Sequence, residues 1–343
     1  MTEHQTGIEL AGEYFRAVVG PLLDGACPGV GYAGARVGTG SDVLRLDDVM
    51  SRDHDWGLRL QVFTADDDVD AVRTALDARL PESFLGLPTR IRYTGAAQAT
   101  LAVDVTTVGA FARQRLGFDP RTGMTTAQWL SVTGQAALEV TAGDVFADGP
   151  GDLTDLRRAM AWYPDDVWRY VVACDWHRID QELPLLGRAG DRGDDLGSRI
   201  IAARLADAAT HLAFTLSRAW APYPKWRGTV LRTMPVAAQI LGPLEASLSA
   251  SSWQERGRGL QEALEVLARL QADVGLPSCD RPVVPFWDRP YLSIEPSLVP
   301  AILASVTDPA VAALPAGVGS VEQLSDNVDV LANPQRRLAL TAP

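Results

Sequence analysis

The sequence is poor in cysteine and has no long apolar run. Its three cysteines, Cys27, Cys174 and Cys279, lie far apart in 343 residues and form no C-x-x-C pair. This pattern argues against a disulfide framework or a thiolate metal site and predicts reduced thiols. No segment reaches the roughly 18 apolar residues of a membrane span, and residues 1–19 carry acidic side chains, unlike a signal peptide. We therefore expect a cytoplasmic protein without membrane association.

Basic residues and histidine are also scarce. Lys and Arg number 31 against 43 Asp and Glu, and the formal net charge is −12. This balance disfavours nucleic acid as a partner, because a nucleic-acid surface needs clustered cations. The four histidines are too few for the metal phosphohydrolase that His54-Asp55 suggests. The segment "GVGYAG" (29–34) fits G-x-G-x-x-G, but it follows Pro28 and leads into a predicted strand, so it lacks the context of a dinucleotide-binding loop.

The hydrophobic pattern divides the chain into two parts of different character. Its length predicts two domains, and an apolar content of 47% is sufficient for a large core. Up to about residue 120, the pattern predicts both strands and helices; the strands are at 31–38, 56–63, 89–95 and 100–108, and the helices at 8–23, 67–80 and 108–117. Beyond that point helical spacing dominates. We therefore predict an α+β protein with a mixed α/β domain over residues 1–120 and an α-helical domain over residues 121–343.

Residues 37–63 combine a small-residue turn with paired carboxylates. Gly40 and Ser41 end the turn G-T-G-S, whose backbone N–H groups and hydroxyl are typical of a phosphate-binding site. Asp53 and Asp55 follow, and because residues i and i+2 of a strand share a face, both carboxylates can hold one Mg²⁺ ion. A solvated entrance to the strand is the alternative for this D-x-D pair. With the turn upstream, the arrangement predicts a triphosphate site with Mg²⁺, or Mn²⁺, between the carboxylates.

A third carboxylate lies in the predicted strand 100–108. Asp104 stands between Val103 and Val105, where an acidic side chain is costly unless it is paired or bound to a cation. We predict that Asp104 binds a second metal ion or accepts the proton of an attacking hydroxyl. The alternation also fits an Asp on the solvated face of a half-buried sheet.

Two segments of the helical half are candidates for completing this site. The segment 187–199 is glycine-rich and charged, and it is predicted to end in a helix start at Asp194 and Asp195. Arg188 is a candidate for binding phosphate, and a capped loop without a ligand is the alternative. In segment 221–229, two prolines are predicted to fix a rigid loop that presents Lys225, and a cation there would stabilise a leaving pyrophosphate. The alternative is a helix-terminating loop around a packed Trp226.

The block "GTGSDVLRLDDVMSRDHDW" (38–56) resembles the G-S…D-x-D block of the nucleotidyltransferase superfamily. More closely, the chain resembles a bacterial family catalogued as domain of unknown function 4037. This resemblance continues through "VTAGDVFADGPGDLTDLRRAMAWYPDDVWRYVV", "GRAGDRGDDLGSRIIAARL", "APYPKWRGT" and "FWDRPYL". The superfamily implies a nucleotidyltransferase-type N-terminal domain. It also implies metal-dependent transfer of a nucleoside monophosphate from an NTP to an acceptor hydroxyl.

The resemblance also implies roles for individual residues. Gly40 and Ser41 take the phosphate role, Asp53 and Asp55 the metal role, and Asp104 the role of the third carboxylate. We expect ATP as the donor and a small molecule as the acceptor. A nucleotide-binding protein without transfer activity, either a sensor or a protein with a decayed site, is the alternative, and release of pyrophosphate distinguishes the two.

Overall fold

The computed structural model describes residues 5–52, 56–92 and 97–341. The chain forms two compact units: the first consists of Met1–Met124 and Gln135–Ala161, and the second of Thr125–Gly134 and Trp162–Pro343. The first unit is mixed α/β and the second is mainly helical, which confirms the predicted α+β class. The expected domain boundary at residue 120 stays a prediction.

Strands and helices are numbered along the chain. The strands are β1 (Tyr32–Arg36), β2 (Leu60–Thr64), β3 (Ser83–Phe84), β4 (Leu87–Pro88), β5 (Arg90–Ile91), β6 (Thr100–Leu101), β7 (Val103–Thr106), β8 (Asp144–Asp148), β9 (Val283–Pro285) and β10 (Leu292–Ile294). The α-helices are α1 (Gly7–Tyr14), α2 (Gly20–Ala26), α3 (Val69–Arg79), α4 (Val108–Leu116), α5 (Thr126–Ser131), α6 (Gly134–Thr141), α7 (Asp152–Ala159), α8 (Asp165–Asp191), α9 (Asp195–Leu216), α10 (Pro224–Leu231), α11 (Ala237–Ser249), α12 (Trp253–Asp273), α13 (Leu298–Ala304), α14 (Pro309–Ala312), α15 (Val321–Leu324), α16 (Val328–Leu331) and α17 (Pro334–Thr341). A π-helical turn (Phe15–Val19) joins α1 to α2, and 3-10 turns cover Asp42–Leu44, Met50–Arg52, Asp66–Asp68 and Pro120–Thr122.

The first unit is organised around a mixed sheet with the strand order β7-β2-β1-β8. β1 pairs antiparallel with both β2 and β8, whereas β2 pairs parallel with β7. The register places Gln61 of β2 beside Ala35 of β1 and beside Asp104 of β7. Asp104 therefore lies on an edge strand, next to β2.

Alternation along β2 places its apolar side chains in the core. Leu58, Leu60 and Val62 are fully buried, as the period-2 pattern predicts. They pack in one cluster with α1, the π-helical turn, α2 and the apolar stripe of α3. The alternating residues Gln61 and Asp104 therefore lie on the opposite face of the sheet.

Gly34 of β1 offers a test of this packing. A Cβ at this position would overlap the buried ring of Phe15. We expect Gly34→Ala to lower the free energy of unfolding by about 1–3 kcal/mol, because the ring and the strand must move apart. Gly25→Ala in α2 is the control, since its Cβ position is open and alanine favours a helix. Urea unfolding measures both variants, and equal stabilities would contradict the tight contact at Gly34.

The second unit is built on the long helices α8, α9, α11 and α12, which pack against each other. Trp168 and Trp176 of α8 are buried between them. The indole N–H of Trp168 donates to the carbonyl of Thr215 at 2.7 Å, and that of Trp176 donates to Oε1 of Gln271 at 2.6 Å. The indoles thus bury a large apolar surface with their polar groups satisfied, and they fix α8 to α9 and α12.

The longest helix of this unit carries charge along its length: α8, with 27 residues, has charged side chains in every part of its sequence. Across the described ranges, no helix combines the length and the apolar character that crossing a bilayer requires.

Candidate functional site

A buried ion pair holds the turn that follows β1. Arg36 donates through Nε and Nη2 to the two carboxylate oxygens of Asp42, at 2.6 and 2.7 Å. Its Nη1 and Nη2 also donate to the carbonyls of Val37 and Thr39, both at 2.8 Å. The side chains of Arg36 and Asp42 are only 0% and 3% exposed. One guanidinium group therefore fixes the backbone of the G-T-G-S turn.

Gly40 is required by the geometry of this turn. Its φ is +137°, in the region that favours glycine, and a Cβ there would overlap both members of the buried ion pair. Ser41 follows in a helical conformation, and its carbonyl accepts the backbone N–H groups of Leu44 and Leu46. The structure thus places the two predicted phosphate-binding residues in a fixed turn at the carboxyl end of β1.

The predicted metal ligands Asp53 and Asp55 lie outside the described residues. Asp47, which precedes this pair in the sequence, forms a hydrogen bond with Trp56, which follows it. Oδ2 of Asp47 accepts the indole N–H of Trp56 at 3.1 Å, and it also accepts the backbone N–H of the first residue of α1 at 2.8 Å. The two flanks of the D-x-D pair therefore meet beside the start of α1.

Asp104 is exposed in a cleft of about 780 Å³ within the first unit. The same cleft contains Thr39 of the G-T-G-S turn, and Nη2 of Arg59 donates to Oγ1 of Thr39 at 3.4 Å. The structure therefore brings the predicted third carboxylate and the turn to one cleft. We term it the Asp104 cleft; the polar residues around Asp104 include Thr39, Arg59, Gln61, Arg73, Arg90 and Arg115.

Arg188 and Lys225 both lie on helices. The non-helical parts of their segments are short: residues 192–194 precede α9, which Asp194 caps, and residues 221–223 precede α10. Arg188 is an exposed residue inside α8. Lys225 stands in the first turn of α10, with Nζ 4.3 Å from the centroid of the Trp226 ring. Both belong to the second unit, and their roles toward phosphate stay predictions.

Of the three predicted metal ligands, Asp104 is the one that lies within the described residues. Its carboxylate supplies the hard oxygen atoms that Mg²⁺ prefers. In the part of the chain that the structure describes, no three His, Cys, Asp or Glu side chains are grouped closely enough to hold a metal ion. Because Asp53 and Asp55 lie outside that part, the three-carboxylate site stays a prediction.

The second unit contains a buried charged pair that sequence analysis did not identify. Nδ1 of His211 lies 2.9 Å from both carboxylate oxygens of Asp175, and Nε2 of Gln323 donates to the same carboxylate at 2.6 Å. Burial favours the neutral imidazole and Arg227 acts in the same direction. The charge of Asp175, its hydrogen bond and the charge of Glu322 outweigh both, so the pKa of His211 is raised.

Sequence analysis also missed the Arg36–Asp42 pair and the arginines of the Asp104 cleft. A signal for the pair was present, because Arg36 interrupts the otherwise small and apolar strand "YAGAR", and a buried guanidinium needs an acidic partner. The cleft arginines gave no such signal, since they are spread over residues 59–115 and come together only in the fold.

Comparison with known proteins gives a partial match. Residues 129–227 match the model of a family described as Domain of unknown function (DUF4037). Over those residues, which include Arg188 and Lys225 but not the G-T-G-S turn, the resemblance seen in the sequence is confirmed. No curated protein matches the chain. Among solved structures, a nucleotidyltransferase-like protein from Exiguobacterium sibiricum 255-15 is similar at 14% identity, with a TM-score of 0.31, over 76% of this chain and 74% of that chain.

Proposed function

We propose that this chain is a metal-dependent nucleotidyltransferase that moves a nucleoside monophosphate from ATP to a hydroxyl of a small-molecule acceptor. The observation that carries the proposal is the Asp104 cleft, where an exposed carboxylate and Thr39 of the G-T-G-S turn line one cavity. A turn of backbone N–H groups suits phosphate, and a carboxylate suits a metal ion or a proton. In the sequence, the D-x-D pair stands between these two features.

In the proposed reaction, the acceptor oxygen attacks the α-phosphorus of the NTP. A new P–O bond forms, the bond to the bridging oxygen of the β-phosphate breaks, and pyrophosphate leaves. Asp104 accepts the proton of the hydroxyl, while Gly40 and Ser41 bind and orient the triphosphate. Mg²⁺ held by Asp53, Asp55 and Asp104 would supply positive charge against the phosphates.

Calorimetric titration of ATP, GTP, CTP and UTP tests the nucleotide site. We expect the wild-type chain to bind one or more NTPs only when Mg²⁺ is present, and Asp53→Asn/Asp55→Asn to lose this binding. Asp67→Asn is the control, because Asp67 is an exposed carboxylate of the 3-10 turn at Asp66–Asp68. Equal binding by the double variant and the wild type would contradict the metal site. No NTP binding by the wild type would favour a decayed site.

Asp104→Asn separates transfer from nucleotide binding. We expect pyrophosphate release in the presence of a panel of small hydroxyl compounds to fall about 100-fold or more, because the amide cannot accept the proton. Binding of the NTP should change much less than in Asp53→Asn/Asp55→Asn, because those two carboxylates can still hold a metal ion. Asp67→Asn should keep the wild-type rate. Wild-type turnover by a folded Asp104→Asn variant would remove Asp104 from the mechanism. NTP binding without any pyrophosphate release would favour the nucleotide sensor.

A further inference from the structure

The Asp104 cleft concentrates positive charge in an acidic protein. Its charged lining residues are Asp77, Asp104, Arg59, Arg73, Arg90 and Arg115. The chain as a whole carries a formal charge of −12, whereas in this lining arginines outnumber aspartates. Four arginines against two aspartates leave the lining with an excess of positive charge, which attracts ligands of the opposite sign. The lining therefore favours an anionic ligand.

The arginines lie on two sides of Asp104. Arg59 immediately precedes β2 and reaches Thr39 in the turn after β1. Arg73 instead donates to the carbonyl of Val105 on the edge strand β7, at 3.0 Å. Arg90 lies on β5, whose partner β6 comes directly before β7. Because the sheet order is β7-β2-β1-β8, Asp104 stands between the G-T-G-S turn and this second pair of arginines.

Arg73 and Arg90, which we term the outer arginines, are oriented by the protein itself. Nη2 of Arg90 donates to the carbonyl and to the carboxylate of Asp77, at 3.1 and 2.7 Å. Nη1 of Arg73 pairs with Asp70 at 2.7 Å. A guanidinium group has five N–H donors in a fixed fork. Arg90 is anchored through Nη2 alone, and Arg73 through Nη1 and, to Val105, through Nη2. These contacts use two of the five donors in each group and leave the others to bind a ligand. A fork that is already anchored loses less freedom when it binds phosphate bidentately.

We propose that the acceptor is itself a small phosphomonoester, whose phosphate binds to the outer arginines. This inference rests on the proposed function, in which the triphosphate of the donor occupies the G-T-G-S turn. The acceptor hydroxyl then lies near Asp104, between the two phosphate-binding regions. A neutral acceptor would place no negative charge beside Arg73 and Arg90.

Glycerol 3-phosphate, with glycerol as its uncharged match, is the probe. In calorimetric titrations of the full chain we expect glycerol 3-phosphate to bind and glycerol not to bind. Arg73→Gln and Arg90→Gln should each weaken binding about tenfold or more, because each removes charge-assisted hydrogen bonds. Arg79→Gln is the matched control, since Arg79 is an exposed arginine at the end of α3. Urea unfolding checks that each variant is folded, and Arg90→Lys, which keeps the charge, should bind better than Arg90→Gln.

A second titration, with Mg²⁺ and the non-hydrolysable α,β-methylene-ATP present, separates the two sources of phosphate. Unchanged affinity for glycerol 3-phosphate would support a separate acceptor site. Competition would assign the outer arginines to the donor phosphates and overturn the proposal. No binding of glycerol 3-phosphate, or an equal loss in Arg79→Gln, would also overturn it. The proposed function is tested separately, by NTP binding and pyrophosphate release.

Discussion

Arg36→Met is expected to lower the free energy of unfolding of the first unit by about 3–5 kcal/mol. Methionine keeps the apolar stem of the side chain, but it leaves the Asp42 carboxylate buried, at 3% exposure, without its cation. The carbonyls of Val37 and Thr39 lose their guanidinium donors as well. Native-state hydrogen exchange at the amides of β1 and β2 measures the stability of this unit.

Arg45→Met is the matched control for this prediction. Arg45 pairs with Asp144 at 2.7 Å, but the two side chains are 60% and 41% exposed, and such a pair contributes at most about 1 kcal/mol. Arg36→Met/Asp42→Leu should recover part of the lost stability, because the uncompensated buried charge is gone. If Arg36→Met were no more destabilising than Arg45→Met, the buried pair would not be what holds the turn.

Asp175→Ala is expected to destabilise the second unit by about 3 kcal/mol at pH 6, and by less at pH 9. The pKa of His211 is raised in the folded chain above its unfolded value of about 6.5. Folding therefore favours the protonated imidazole. The stabilisation is complete below about pH 6.5 and is lost as the pH rises through the folded-state pKa. Without the Asp175 charge, most of this dependence should disappear.

Urea unfolding, monitored by tryptophan fluorescence, measures this effect. Eight of the nine tryptophans belong to the second unit, and Trp56 belongs to the first, so the signal reports mainly on the second unit. His177→Gln is the control. His177 lies on α8, as Asp175 does, but its ring contacts a neutral amide, with Nε2 3.1 Å from Nε2 of Gln181. His177→Gln should therefore keep the wild-type pH profile. The same pH profile for Asp175→Ala and the wild type would show that the charge of the pair does not contribute.

The strands that form most of the sheet could be predicted because their pattern is local. β1 and β7 fall within predicted strands, and β2 ends one residue beyond the predicted strand 56–63. Asp104 was identified because it interrupts an apolar strand. β8 was not predicted. Its sequence "DVFAD" is short, begins and ends with aspartate, and lies among segments with helical spacing. Its extended conformation depends on pairing with β1, a contact far away in sequence.

Glycine and proline made the helical parts of segments 187–199 and 221–229 difficult to predict. Gly190 lies inside α8, where a Cβ would overlap Trp253, so glycine serves close packing of two helices rather than a loop. Pro224 is in the first turn of α10, where a missing N–H costs nothing and the fixed φ favours the helix. The helix around Gly190 could have been predicted only with knowledge of its tertiary contact with Trp253. Pro224 shows that a proline can begin a helix as well as end one.

The position of β8 determines the order in which the chain can fold during synthesis. Residues 125–134 belong to the second unit, and the chain then returns to the first unit with α6 and β8. A nascent chain that ends at residue 124 lacks the strand that pairs with the outer edge of β1, and an unpaired strand edge is prone to association with other chains. The N-terminal sheet is therefore completed on the ribosome only after part of the second unit has already been synthesised.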